Sequence, residues 1–403
     1  MNGGMLEKAE AFLKTISPEA EMQFQKRVTE EIGPHAKGFI STPLFLPEAR
    51  CKRIASVTEA VADLLLSQPY QQEALKGDWF VPAIPPEQKD LLFCVDFHLS
   101  EQEEKIIEVN FGPHGSLAYS DAAEKSFHET FPYLTRPIPE GVEEKLAAVI
   151  SRNFRWKRVA IAVSHLPASK PYFPHYLHYE KILKRFGLEG KVLYARDIEL
   201  NQAGLPVWKG VEYEGILNLV IPSVWQENAN EFSAYAEACR QSSDIFFPRP
   251  GSAKVGDKGL SVALSNCGGG KYDLSPSQEA FLSSCAPKSS FLDSFSTPEE
   301  VIGAFGGTGN VVLKPLDGYQ GKGVALKPTP EEIQRIMMTK KGQYIAQEYF
   351  PHGLLPYPDA SGHVDAYPFT LRASYIDGKC RAFVCRAFID SAMISRNAPV
   401  VSF

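Results

Sequence analysis

The sequence has no apolar run long enough to cross a bilayer. Its longest, such as Ala60 to Leu66 and Ile216 to Ile221, fall far short of the roughly 20 residues a spanning helix needs, so no membrane partner is expected. It also lacks a basic tail and any long block of like charge. The 42 basic residues against 48 acidic ones leave a net charge of -6, which counts against nucleic acid as a partner. The seven cysteines (Cys51, Cys94, Cys239, Cys267, Cys285, Cys380 and Cys385) are odd in number and scattered, with no C-x-x-C spacing. Neither a disulfide framework nor a structural zinc site is expected from them, and Cys94 and Cys267 read as packed thiols. The opening stretch carries Glu7, Glu10 and Glu19 and no apolar segment of the kind that directs export. It reads as an amphipathic helix, and a cytoplasmic location is the expectation.

What is present is an ordinary globular composition, 44% hydrophobic and 22% charged over 403 residues, enough for two to three domains at about 150 residues each. Helix and strand patterns alternate without a long repeat, which predicts an α/β fold. Residues 1–140 carry helical patterns at Pro18 to Ile32 and Pro47 to Ser67. After a proline-rich passage (VPAIPPEQKD), two strand-like runs, LLFCVDFHL and KIIEVNFG, flank the polar turn SEQEE and read as a hairpin. Pro132 to Gly141 has the proline spacing of an exposed linker. Residues 141–250 predict a helix at Val142 to Asn153, strands at Val159 to Val163, Lys191 to Ala195 and Gly215 to Ile221, and a helix at Tyr176 to Phe186 stopped by Gly187, the order of a small doubly wound parallel sheet. Residues 251–403 read as α+β. They predict a helix at Asp257 to Asn266, a strand ending at Lys314 and Pro315, a helix at Pro330 to Thr339, and strands at Tyr344 to Phe350, Thr370 to Ile376 and Arg381 to Phe388.

Two constellations carry chemistry. The loop DGYQGKGV, Asp317 to Val324, follows the strand bearing Lys314. Glycines there let backbone N–H groups approach a polyphosphate, with a lysine alongside to offset its charge; the same loop also reads as a plain hairpin, since neither the G-x-x-x-x-G-K-[ST] nor the G-x-G-x-x-G spacing occurs. In the first hairpin, Glu108 and Asn110 are two apart and share a face, and Asp96 lies on the facing strand. Three oxygen donors on one patch suit Mg²⁺ with substrate phosphates completing its shell. An exposed acidic face is the alternative, but the apolar neighbours Phe93, Cys94, Val95, Phe97, Ile106, Ile107, Val109 and Phe111 would half-bury the patch and call for a counter-ion.

Together these segments resemble the ATP-grasp superfamily of ligases, and more closely its glutathione-synthetase-like branch. VVLKPLDGYQGKGV is similar to that branch's lysine strand and glycine lid, YIAQEYFP to its adenine-reading hinge, TLRASYIDGKCRAFVCRAF to its paired arginine strands, and VGDKGLSVALSN to the segment whose lysine reaches the phosphates. Asp96, Glu108 and Asn110 resemble its metal triad. The triad here precedes the lysine strand by about 200 residues, the order of a circular permutation. The resemblance therefore implies a circularly permuted ATP-grasp fold in which residues 1–140 and 251–403 complete one nucleotide-binding domain. Residues 141–250 would form a Rossmann-like pre-ATP-grasp substrate domain.

It further implies an ATP- and Mg²⁺-dependent carboxylate–amine ligase that works through an acyl phosphate. Lys258, Lys314, Gly318, Tyr319, Gln320, Gly321, Lys322, Gly323, Gln347 and Glu348 would bind the nucleotide, and Arg372 and Arg386 would act on the substrate carboxylate, although Arg386 also reads as a surface residue. Two departures stand out. The chain ends SAMISRNAPVVSF, where the branch has a glycine-rich substrate segment and only Arg396 and Asn397 match. FGPHGSLAYSD keeps Gly112, Gly115 and Ser116 but adds His114, which reads as a solvated loop histidine. A nucleotide-binding pseudoenzyme and a ligase acting on a peptide or protein terminus are the alternatives. The partners implied are small-molecule carboxylate and amine substrates, and a homodimer is left open. The passage His352 to Pro368 reads as a substrate-facing insertion or a surface loop, and Arg152, Arg155, Lys157, Arg158, His165, His175 and His178 as an anion-attracting set or as solvated helix ends.

Overall fold

The computed structural model describes residues 3–33, 38–76, 91–100, 102–111, 115–138, 141–166, 173–220, 228, 230–249, 251–316, 321–358, 363–389 and 396–403. Among the sequence readings, the passage 81–90, Gly112, His114, the Ser116 side chain and lid residues Gly318, Tyr319 and Gln320 lie outside the described residues.

The fold is mixed α/β, and its largest sheet draws on distant parts of the chain. The hairpin strands Phe93–Leu99 and Glu104–Phe111 extend a sheet formed by Val364–Ile376, Lys379–Ala387 and Arg396–Ala398, all antiparallel, with Phe93–Leu99 paired to Val364–Ile376. Leu44–Leu46 pairs in parallel with Val400–Ser402. Alternation along FCVDFHL divides two cores. Phe93, Val95, Phe97 and Leu99 pack with Ile54, Val57, Val61 and Leu65 of the Glu48–Leu66 helix on one face. Leu92 and Cys94 pack on the other with Leu146, Ile150 and Val159. Asp96 shares the parity of Cys94, which places it on that second face.

Residues 158–247 hold a four-stranded parallel sheet in the order Phe246–Phe247, Gly215–Asn218, Arg158–Val163, Glu189–Tyr194. A third sheet, which we call the lysine sheet, runs Ser289–Phe291, Tyr344–Glu348, Val311–Pro315, Ala325–Leu326, all antiparallel. Local chemistry starts several of the helices. Ser17 accepts the Ala20 N–H with Pro18 following, and reciprocal capping boxes open Pro276–Cys285 (Ser275 with Gln278) and Pro330–Lys340 (Thr329 with Glu332).

The structure amends several local expectations. The helix expected at Asp257 to Asn266 is shorter, Gly259–Ser265, with Asp257 Oδ1 accepting the Gly259 N–H at 2.7 Å at its start, and a separate short helix, Ser252–Val255, precedes it. The α-helix expected to Asn153 ends at Ala148 and continues as one π turn, Val149–Asn153. Within the stretch read as an exposed linker, Thr135 bridges Ser402 and Arg136 is held by Asp121 at 2.6 Å and Glu124 at 3.2 Å. Proline spacing reports backbone stiffness and is blind to that buried ion pairing. The passage read as a surface loop or insertion starts as a strand, Gly353–Pro358, paired with residues 364–369. Gly353 is required there: a Cβ would lie 2.5 Å from the Phe369 ring and 3.0 Å from the Leu99 carbonyl oxygen. All seven cysteines are free and buried.

Candidate active site

Strand register assembles the centre of the site. Asp96 faces Arg372 on one neighbouring strand and Glu108 on the other, and opposed residues in antiparallel strands lie about 5 Å apart at Cα. Arg372 donates from Nε to Asp96 Oδ1 and from Nη2 to Oδ2, both at 2.7 Å. Arg386, one strand further on, places Nη1 3.5 Å from Oδ2, and Asn110 Nδ2 donates to the same oxygen at 3.2 Å. Burial alone would lower the Arg372 pKa, but the Asp96 carboxylate more than offsets this and holds the guanidinium above its ordinary value. Arg386 is shifted down, first by the Arg372 charge beside it and then by burial.

The register slips immediately beside this pair. Asp96 opposes Glu108 but Phe97 opposes Ile106, so Ile107 is an extra residue, a β-bulge. Its carbonyl accepts a hydrogen bond from Lys314 Nζ at 3.0 Å, across from the lysine sheet. Lys314 also donates to Gln347 Oε1 at 2.5 Å, and Gln347 Nε2 donates to Ser289 Oγ at 3.2 Å. Burial is the main reason that the Lys314 pKa falls to about 8; Lys258 pushes the same way, while Glu108 and Asp96 oppose it. Lys258 Nζ lies 3.3 Å from Glu108 Oε1.

The structure thus brings Asp96, Glu108, Asn110, Lys258, Lys314, Gln347, Arg372 and Arg386 into one cluster where the lysine sheet meets the large sheet. Two carboxylates share it with four basic side chains. Such an excess of positive charge suits a polyanion. Asp96, Glu108 and Asn110 are all oxygen donors, the set a hard cation takes. Asp96 is engaged by both arginines, whereas the Glu108 side chain is 34% exposed, so Glu108 is the more open donor. Of the lid, Gly321 and Gly323 take positive φ (71° and 76°), and Tyr344 Oη donates to the Gly323 carbonyl at 3.1 Å; Lys322 is exposed. Glu348 is also exposed, its carboxylate accepting the Lys288 N–H at 3.2 Å. Asn397 stands opposite Arg386 in the neighbouring strand.

Sequence reasoning missed two residues here. His98, two positions after Asp96, is buried; Nδ1 lies 2.7 Å from the Phe350 carbonyl, and its ring centroid is 3.8 Å from that of His352. Burial, then His352, brings the His98 pKa down to about 3, and burial with the nearby Lys314 lowers that of His352. The parity shared with Asp96 was the available signal. Among the basic residues of 141–250, Arg158 pairs with Glu189, and His165 with Glu231. Glu31, Glu143 and His178 form a compact acidic-histidine group, but Arg185 bridges both carboxylates, so the group is an ion-pair network.

No helix among the described residues is long and apolar enough to cross a membrane. No protein-family model and no curated protein matches the sequence. Among solved structures, the chain is similar to a protein from Methylobacillus flagellatus KT provisionally described as a gamma-glutamylcysteine synthetase, at 12% identity and a TM-score of 0.46 over 85% of each chain. It is also similar to the ATP-grasp ligase PsnB complexed with minimal precursor, Mg and ADP, at 14% identity and a TM-score of 0.32 over 60% of this chain and 88% of that one.

Proposed function

We propose that this protein is an ATP-dependent carboxylate–amine ligase of the ATP-grasp kind, its elements in circularly permuted order. The observation that carries the reading is the cluster in which Lys258, Lys314, Arg372 and Arg386 gather around Asp96 and Glu108. Residues 1–140 and 251–403 would supply that cluster, and 141–250 a substrate-facing domain.

The proposed division of labour follows from position. Lys314, which is buried, and Lys258, paired with Glu108, hold the phosphates. Glu108, Asn110 and Asp96 would hold Mg²⁺, which would supply positive charge to offset that of the phosphates. A substrate carboxylate attacks the γ-phosphorus, ADP leaves, and the acyl phosphate formed is attacked by an amine; the amide bond forms as inorganic phosphate departs. Arg386, whose side chain is 26% exposed against 9% for Arg372, is the more accessible guanidinium and the one to orient the carboxylate and then stabilise the tetrahedral species. Gly318 to Gly323 would serve as the lid that keeps water from the acyl phosphate.

The test is ADP release with excess Mg²⁺, screened over pairs of small carboxylic acids and amines. ADP formation that requires both, lost in Lys314→Ala, is the expected result. MgATP binding without turnover under any pair would instead favour a nucleotide-binding protein without ligase activity.

A further inference from the structure

Among the described residues, Lys314 and the segment just after the lysine sheet both contact the strands carrying Asp96 and Glu108, and the proposed chemistry uses only one of these contacts. Lys314 bonds the Ile107 carbonyl, and it is one of the two lysines proposed to hold the phosphates. The second is His98. The Phe350 carbonyl oxygen can only accept, so the His98 nitrogen 2.7 Å away carries the hydrogen and donates. Phe350 lies two residues beyond the end of Tyr344–Glu348, the strand carrying Gln347. His352 then lays its ring against His98 at a centroid distance of 3.8 Å and meets Phe388 at 5.8 Å. Behind it, Gly353 is pressed between the Phe369 ring and the Leu99 carbonyl, with no room for a Cβ. The segment 349–353 is therefore fastened to the Asp96 strand by a side chain two residues from Asp96 itself.

We infer that His98 is a positioning residue that locks the 349–352 segment onto the Asp96 strand and so keeps the nucleotide-facing lysine sheet in register with the carboxylates. It acts through Phe350 and His352 and touches no reacting atom. This inference rests on the nucleotide reading above. Its physical content is that a rigid cross-sheet contact reduces the ordering cost of binding a ligand that spans both sheets.

The experiment compares MgADP affinity by titration calorimetry in the unaltered protein, His98→Phe and His98→Asn. Phenylalanine keeps the ring and loses the donor; asparagine restores a donor near the Nδ1 position. His98→Phe is expected to bind MgADP about tenfold more weakly, the size of one hydrogen bond to a buried acceptor, and His98→Asn to recover most of that loss. A purely structural role would lower the thermal midpoint of both variants alike without such rescue, which would overturn the inference. Unchanged MgADP affinity in a folded His98→Phe protein would overturn it too and leave the nucleotide reading intact. Failure of the unaltered protein to bind MgADP would overturn both.

Discussion

Arg372 grips both oxygens of Asp96 at 2.7 Å in the middle of the large sheet, where the two residues are 7% and 4% exposed. Such a pair does more to specify structure than to stabilise it, because two charges have left water. Breaking one side is another matter. Asp96→Asn would leave Arg372 and Arg386 facing each other with no anion between them, and the Arg386 pKa is already pulled down by that neighbour. We expect Asp96→Asn to cost about 3 kcal/mol or more, read as a fall in thermal midpoint of several degrees, before any question of activity. A midpoint within a degree of the unaltered protein would show that the pair carries little.

Glu108 separates binding from stability. Its side chain is 34% exposed and its partner is Lys258, so Glu108→Gln is expected to change the midpoint of the free protein by less than about 1 kcal/mol. With MgATP near 100 times its dissociation constant, the unaltered protein gains about 2.7 kcal/mol. Glu108→Gln should lose the Mg²⁺-dependent part of that gain. An equal shift in both proteins would remove Glu108 from the metal set.

Under the proposed function, Lys314 would make nucleotide binding sensitive to pH. Burial holds its pKa at about 8, so near pH 8 about half the molecules carry it neutral, and a bound polyphosphate raises the pKa and draws a proton in. Proton uptake of about half a proton per nucleotide is expected near pH 8, falling toward zero at pH 6.5. Affinity should accordingly weaken as pH rises above 8, where that proton costs more to supply. Calorimetry in buffers of different ionisation heat measures the uptake. Lys314→Arg should abolish its pH dependence between 7 and 9, and persistence there would assign the proton to another group.

The thiols should be silent in the folded protein. All seven are buried, and burial pushes the Cys51 pKa up to about 11 and those of Cys380 and Cys385 higher still. A thiol reagent at pH 8 is expected to titrate fewer than one group rapidly in the native state and all seven after denaturation. Fast native labelling of several would show an opening motion that the fold does not display.

Much of this molecule is written in local pattern. Alternation in FCVDFHL and KIIEVNF determined a hairpin with Asp96, Glu108 and Asn110 on one face. That signal is legible because strand period is short-range. The chain alone also supplied Lys314 on a strand ahead of a glycine loop. Only the tertiary structure decided that Arg372 lies opposite Asp96, because that register joins residues 276 positions apart. The bulge at Ile107, the cross-sheet bond of Lys314 and the His98–Phe350 contact belong to the same class. Each is a match between surfaces brought together by packing. No local propensity encodes such a match, and these matches convert separate motifs into one cluster.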